Sequence, residues 1–447
     1  MASIPTIVSR IKSHLDEHLS DAQIHQACAD AQHIWRQRTL DPVTLLRLFM
    51  IQILHGNVAC RALRHLGEMD ATVTAYCNAR KRLPLKVFAA LTKAACVSMC
   101  HVTADIGKWR SHRVWLIDGS STSLPDVPSL QHKFGKPTAM KPGCGFPVAH
   151  VLMLMDVHTG FVGEMLVNTW SASDMAQASA THASMQEGDV LVGDRAFGSY
   201  AHFALLLQRK LHGVCRMNQS RLPATSRKSK KRRRRAPRQS PMMRSVRDLG
   251  RDDLLVELIR DRPKPTWMDS NDWDQLLERI TLRQITYRVP QDGYRTRKVT
   301  LLTTLTDAKA YPLKELAKLY HARWEIETNF RYLKTTLGMD TLHCKSPDGV
   351  MKELWMYVLV YNRVRRVMLD EARRLGVKPS RVSFIDALDA IRYGGGRHGV
   401  ALIVNPDRPG RMEPRVIKRP KDRYRYMTRP REQLRQELLD KQKELAA

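Results

Sequence analysis

Tyr320, Arg323, Glu327 and Lys334 are the residues whose types and spacing most plainly suit chemistry. On a helix of ~3.6 residues per turn they fall within a stripe only ~60° wide. Leu319, Ile326, Phe330, Leu333 and Leu337 form a second stripe centred roughly 75° away, so the polar four border a buried face. Glu325 projects from the other side and is expected to be a solvated neighbour. A carboxylate, two cations and a phenol in one stripe suit a phosphate ester. The carboxylate can ligate a divalent cation, Arg323 and Lys334 can bind non-bridging oxygens, and Tyr320 can stack on or hydrogen-bond to a nucleotide. The same spacing also describes an i,i+4 ion pair between Arg323 and Glu327 on an ordinary amphipathic helix, worth roughly 0.3 kcal/mol.

Two aspartates complete a set. Val114-Trp115-Leu116-Ile117 is a short apolar run that meets Asp118-Gly119, and Val190-Leu191-Val192-Gly193 meets Asp194-Arg195. Each reads as a buried strand delivering a carboxylate to its tip, although Asp-Gly is also a common turn and Asp-Arg a possible ion pair. With Glu327 they make three carboxylates able to hold two Mg²⁺ or Mn²⁺ ions ~3.5–4 Å apart, one activating an attacking hydroxyl and one stabilising a leaving oxygen. Hard oxygen donors favour these ions over zinc.

Several elements must position these residues. Residues 1–108 read as helical: Ser20-x-x-Gln23 has the form of a capping box, Asp41-Pro42 opens a second helix, and a third runs from Leu85 to Met99. Between them Tyr76 to Pro84 is basic, and is either a solvated bend or a segment beside a phosphate backbone. From 109 to 218 the pattern becomes strand (114–117), hairpin (148–157 and 161–167), helix (174–186), strand (190–194), helix (199–210), strand (214–217), which is an α/β core. Residues 219–306 read as a β-rich insertion with strands at 254–259, 280–289 and 297–305, the last two joined at Gln291-Asp292-Gly293. Helical periodicity returns over 313–337 and 352–374, closing the core at 375. Residues 376–447 form a basic C-terminal region with a hinge at Gly394-Gly395-Gly396 and a final helix from Arg431.

The string Tyr320-x2-Arg323-x3-Glu327-x6-Lys334 resembles the Y-(2)-R-(3)-E-(6)-K motif of bacterial DDE transposases of the insertion sequence 4 family. Asp118 after its strand and Gly193-Asp194-Arg195-Ala196-Phe197-Gly198 look like that family's first and second aspartate motifs. The resemblance covers about 110–370 and, around Tyr76 to Pro84, extends more loosely into a helical N-terminal DNA-binding domain. It implies a ribonuclease H-like core, metal-dependent nicking at terminal inverted repeats, strand transfer of the 3′-hydroxyl into target DNA, and a homodimeric synaptic complex. It also implies catalytic and metal-binding roles for Asp118, Asp194 and Glu327, and phosphate contacts for Tyr320, Arg323, Lys334 and Arg195. Some relatives carry a Trp on an insertion strand that stacks on a flipped base during hairpin formation; Val299 stands at that spacing here, leaving Trp267, Trp273 or Tyr294 as substitutes.

Composition agrees on the partner. The 447 residues hold 74 Lys+Arg against 44 Asp+Glu, a formal charge of +30 that calls for a polyanion. Within it, 226–238 is a basic run in which Lys231, Arg232, Arg233 and Arg234 are candidate DNA contacts or simply a solvated charge run; Lys418 to Arg431, interleaved with Tyr424 and Tyr426, poses the same choice. No stretch approaches ~18 uninterrupted apolar residues, and charge enters too early for a secretory segment, so double-stranded DNA in a bacterial cytoplasm is expected rather than a membrane. Eight cysteines lack a CxxC pair; Cys96, Cys100 and His101 make only half a zinc set. Two other classes stay open: a metal-dependent endonuclease on the same core that cleaves without joining, and an inactive transposase-derived DNA-binding protein.

Overall fold

The computed structural model describes residues 20–67, 69–104, 106–137, 144–217, 243–260, 263–289, 297–393, 400 and 429–446. The basic run at 226–238, the turn at 291–293 with Tyr294, the glycines at 394–396 and most of 418–431 lie outside them.

The N-terminal part is a helical bundle. Helix α1 (Asp21–Asp30) begins with the expected capping box: Ser20 Oγ accepts from Gln23 N–H while the Gln23 side chain accepts from Ser20 N–H. In α2 (Pro42–Leu54), Asp41 caps Thr44 N–H and proline occupies the first turn. Tyr76 to Pro84 is not a bend. It lies largely within α3 (Val73–Arg82), where Tyr76 is buried and Arg80 donates to Gln52 with its guanidinium 3.6 Å from the Phe49 ring centre. The apolar spacing at 76 and 79 faces the core, which draws Arg80 inward; Lys81 and Arg82 remain exposed. Helix α4 (Leu85–Val102) is long and apolar enough to cross a membrane by length and composition, but Val87, Phe88 and Leu91 are buried in the core shared with α9 (Pro347–Leu375).

The bundle leans on a mixed sheet of nine strands in the order β3-β2-β1-β4-β5-β9-β8-β7-β6. They are β1 (Val114–Ser123), β2 (Val148–Asp156), β3 (Val162–Thr169), β4 (Val190–Gly193), β5 (His212–Arg216), β6 (Met243–Gly250), β7 (Asp253–Ile259), β8 (Arg279–Val289) and β9 (Arg297–Thr303). β1 runs antiparallel to β2 and parallel to β4; β4 is parallel to β5, and β9 returns antiparallel along β5. The strands of 219–306 therefore extend the core sheet instead of forming a separate layer. They include one, β6, that periodicity did not reveal, since nearly all its residues are exposed or half-exposed and show no apolar alternation.

Alternation sends successive side chains to opposite faces. Val114, Leu116, Val190, Val192 and Val214 share one core with α7 (Leu313–His321), α8 (Trp324–Arg331) and α9. Trp115, Ile117, Leu191 and Cys215 face a second core with α6 (Tyr200–Gln208). Two element lengths differ from expectation. Helix α5 (Asp174–Thr181) ends early, passing into a 3₁₀ turn at His182–Ser184. The stretch 313–337 is not one uniform helix: around Arg323 the bonds tighten to i→i−3 (Arg323 N–H to Tyr320 O, Ile326 N–H to Arg323 O), and Tyr332–Thr336 is a π-helical turn. Overwinding and then underwinding rotate the helix in opposite senses, so the buried stripe survives: Leu319, Ile326, Phe330, Leu333 and Leu337 are all core residues.

Candidate active site

Strand pairing alone brings the two aspartates together. The parallel registers end with Ile117 opposite Gly193 and Gly193 opposite Cys215, so Asp118 and Asp194 are the next residues on adjacent strands, about 4.8 Å apart in the pairing direction. Both continue the parity of Leu116 and Val192 and face the core covered by α7 and α8. Asp118 is not at a strand tip: β1 runs on to Ser123 because β2 keeps pairing with it after β4 has ended, and Asp118 lies opposite Met153. What is open beside Asp118 is the β4 side, where Asp194 begins a turn with its Oδ1 accepting from Ala196 N–H at 2.6 Å. The turn reading of Asp194 is thus correct for one oxygen and leaves the other free of that role.

The helical residues arrive from above. Arg323, only 11% exposed at its side chain, stands between two carboxylates: its Nη1 is 3.6 Å from Asp118 Oδ2 and its Nη2 is 3.4 Å from Glu327 Oε1. The i,i+4 pair therefore exists, and it is half of a bridge to the sheet. Arg323 also lies against the rings of Tyr320 and Trp324, and its Nε is buried without an acceptor among the described residues. Lys334, carried round by the π turn, reaches β1 two to three residues beyond Asp118, donating to Ser121 O at 2.9 Å and Ser120 Oγ at 3.4 Å and pairing with Asp340. Tyr320 is buried, and Arg195 is exposed beside Asp194.

Burial sets the electrostatics of the site. Burial raises the Asp118 carboxyl to about 6; the Gly119 N–H and Arg323 pull it back, while Asp194 and Asp174 push it further up. Burial likewise lifts Tyr320 to about 12, against the pull of Arg323 and Arg216. Burial raises the Glu325 carboxyl, against the pull of Arg365 and Lys378. It is exposed, as expected of the neighbouring acid, although the surrounding protein raises its carboxyl.

One acid was missed by sequence reasoning. Asp174 pairs with His150, and both approach β1 so closely that a Cβ at Gly119 would lie 2.4 Å from Asp174 Oδ1. Gly119 after Asp118 was the available signal, since a glycine inside a strand often marks a close approach. The candidate stacking positions are packed: Val299 is buried opposite Tyr287, Trp273 lies edge-on to Tyr200, and Trp267 is half-buried against the second core.

As a donor set, Asp118, Asp194 and Glu327 offer only hard oxygens, which suits a divalent cation of the magnesium kind. Among the described residues, however, no three His, Cys, Asp or Glu side chains are gathered closely enough to grip one ion. The Arg323 guanidinium lies between Asp118 and Glu327, and the Glu327 side chain, 49% exposed, has room to turn.

Residues 109–363 match the family model described as Transposase DDE domain, a span covering more than half of the chain. The chain belongs to this family of DDE transposases. Its likeness to the insertion sequence 4 group is carried by the transposase InsG for insertion sequence element IS4 of Escherichia coli (strain K12), 35% identical over 153 residues. That match spans 34% of this chain and 32% of InsG, about a third of the relative's length. Among solved structures, a piggyBac transposase synaptic complex with hairpin DNA aligns over 86% of this chain and 79% of that one, with 12% identity and a TM-score of 0.41.

Proposed function

We propose that this protein is a DNA transposase that cuts the terminal inverted repeats of an insertion sequence and joins the freed 3′-hydroxyl to target DNA. The observation that carries the reading is the registered pair Asp118 and Asp194 on adjacent parallel strands, with Glu327 tied to Asp118 through Arg323. A sheet whose order runs β3-β2-β1-β4-β5, antiparallel then parallel, with two acids on its central strands, supports a ribonuclease H-like core. The organisation follows: a helical DNA-binding domain at 1–108, a catalytic core at 109–218 and 307–375, an insertion at 219–306 and a basic region at 376–447.

Asp118, Asp194 and Glu327 would hold two Mg²⁺ or Mn²⁺ ions, which when bound supply charge neutralisation and activation of the attacking oxygen. The chain's own groups do the rest. Arg323, released from the carboxylates, turns its guanidinium to the non-bridging oxygens of the phosphate. Lys334 stands ready at Ser120 and Ser121 for a neighbouring phosphate, and Tyr320 walls the nucleotide. Arg195, exposed beside Asp194, adds positive charge for the DNA, and the basic run Lys231 to Arg234, outside the described residues, supplies more by composition. Two ends held together call for a homodimer, and work on chromosomal DNA places the protein at the bacterial nucleoid.

The test uses duplexes made from the DNA flanking the reading frame, with and without pre-cut 3′ ends, in Mg²⁺ and in Mn²⁺. Asp118→Ala, Asp194→Ala and Glu327→Ala are each expected to abolish nicking while leaving DNA binding within a few-fold of wild type; Glu325→Ala should nick normally. Appreciable nicking by any of the three refutes the assignment. Cleavage with no joined product under either metal would favour the endonuclease reading.

A further inference from the structure

The cysteines are not equivalent in space. Cys28, Cys96, Cys144 and Cys215 are buried, whereas Cys60, Cys77 and Cys344 line one solvent-open cavity of about 330 Å³ between the helical bundle and the chain leading into α9. Cys60 opens the 3₁₀ turn Cys60–Ala62, and Cys77 lies on the exposed side of α3, so their spacing along the chain gives no hint of a pair. Packing makes them one: the Cys77 S–H points at Cys60 Sγ with the two sulfurs 3.9 Å apart.

Both sulfurs are held in place by the same buried amide. Gln52 on α2 donates from Nε2 to Val58 O at 2.8 Å and to Cys60 Sγ at 3.7 Å. Its Oε1 accepts from Tyr76 Oη and from Arg80, both on α3, at 3.0 Å each. Gln52 therefore fixes the turn that carries one thiol and the helix that carries the other. A disulfide spans about 2.05 Å, so the sulfurs need to close by only about 1.9 Å, within reach of side-chain rotation and a small backbone shift. The other thiols lack this combination. Cys344 accepts from Arg80 Nη2 at 3.5 Å, and burial pushes its thiol up to about 12, which keeps it protonated. Cys96 and Cys100 share a hydrogen bond, but they lie one turn apart on α4 and Cys96 is buried. Cys77 is itself raised, by burial first and then by Cys60, against the pull of Arg80. That slows its reaction at neutral pH and suits a site that answers excess oxidant and stays reduced otherwise.

We infer that Cys60 and Cys77 form a modification site, oxidised by a hydroperoxide to a reversible disulfide that ties α3 to the turn following α2. One thiol, losing its proton, attacks a peroxide oxygen; the O–O bond breaks, and a sulfenic acid and a water form. The second thiol attacks that sulfur, the S–S bond forms, the S–O bond breaks and a second water leaves. Two thiols and one hydrogen peroxide thus become one disulfide and two waters, and a dithiol reductant reverses the change by exchange. The inference is independent of the transposase reading.

The experiment treats the reduced full chain, freed of reductant, with graded hydrogen peroxide. Free thiols are counted after denaturation, and cross-linked peptides are mapped by mass spectrometry. Of the eight thiols, two are expected to disappear first, with a peptide joining Cys60 to Cys77 and a mass loss of two hydrogens, and dithiothreitol should restore both. Cys60→Ser and Cys77→Ser should each abolish that cross-link. Peroxide should raise the melting temperature of wild type by several degrees and of neither variant, because the bond closes a loop of about 16 residues in the unfolded chain. Oxidation of other cysteines ahead of this pair overturns the inference. So does conversion of Cys77 to a sulfinic acid with no joined peptide. Both of those readings come from wild type alone and stand even if a serine variant does not fold.

Discussion

Replacing Asp118 by Asn should stabilise the metal-free protein at neutral pH while destroying its activity. The carboxyl is raised from 3.8 to about 6, chiefly by burial, even after Gly119 N–H and Arg323 have offset part of the cost. Because the folded pKa lies above the unfolded one, this group's contribution is fully present below about pH 4 and is lost as pH rises through 6. In that window the unfolded chain has released its proton and the native one has not. About two pH units at ~1.4 kcal/mol each give roughly 3 kcal/mol of destabilisation at pH 8. With 24% of the side chain exposed, solvent screening lowers this to about 1–3 kcal/mol. Asn keeps the shape and carries no charge, so urea denaturation in the presence of a chelator should show Asp118→Asn more stable than wild type by that amount at pH 8. The two should converge near pH 4. Added Mg²⁺ should narrow the gap at pH 8 by stabilising wild type alone. A variant less stable than wild type at pH 8, or a gain that persists undiminished at pH 4, would refute the account of Asp118 as a desolvated carboxylate.

Two further outcomes follow from buried polar groups elsewhere. Glu353 on α9, 1% exposed, accepts from Asn57 Nδ2 and from the backbone N–H groups of His343 and Cys344 at 3.0 Å each, tying the helical bundle to the chain that follows the π turn. Glu353→Gln turns an amide N–H toward donors and should cost about 3 kcal/mol in urea denaturation; a loss under about 1 kcal/mol would show the donors finding other partners. His182 and His202 are buried and stacked with their Nε2 atoms 2.9 Å apart, and His202 Nδ1 bonds to Phe197 O in the turn after Asp194. Burial lowers them to about 2 and about 4, so neutral rings are favoured. With folded values below the unfolded 6.5, their stabilisation holds above pH 6.5 and declines as pH falls toward 4, by on the order of 3 kcal/mol for His202. Asn at 202 can donate to Phe197 O without taking up a proton, and should flatten that decline. An unchanged slope would show that acid lability originates elsewhere.

Much of the chemistry was legible because periodicity survives local irregularity. The stripe of Tyr320, Arg323 and Glu327 sits beside the stripe of Leu319, Ile326 and Phe330 whether or not the helix is uniform, since hydrophobic burial fixes which side faces the sheet. Apolar runs ending in Asp118 and Asp194 marked central strands for the same reason. Other features had no local signal. The break at Ala322-Arg323 and the π turn at Tyr332–Thr336 reflect how the helix must thread between β1 and the long helix α9, a constraint set by distant residues. The extension of β1 beyond Asp118 depends on β2, and the exposed strand β6 is held by its pairing with β7.

The sequence by itself determined the kinds of groups the site contains, the buried runs that lead into Asp118 and Asp194, the helix face that carries Glu327, and the surplus of positive charge. Tertiary structure alone decided that Asp118 and Asp194 follow directly on paired residues of adjacent parallel strands, that Arg323 spans two carboxylates, and that Asp174 and His150 crowd Gly119. Register between strands separated by dozens of residues is fixed by the packing of both sheet faces at once, and no window along the chain contains that information.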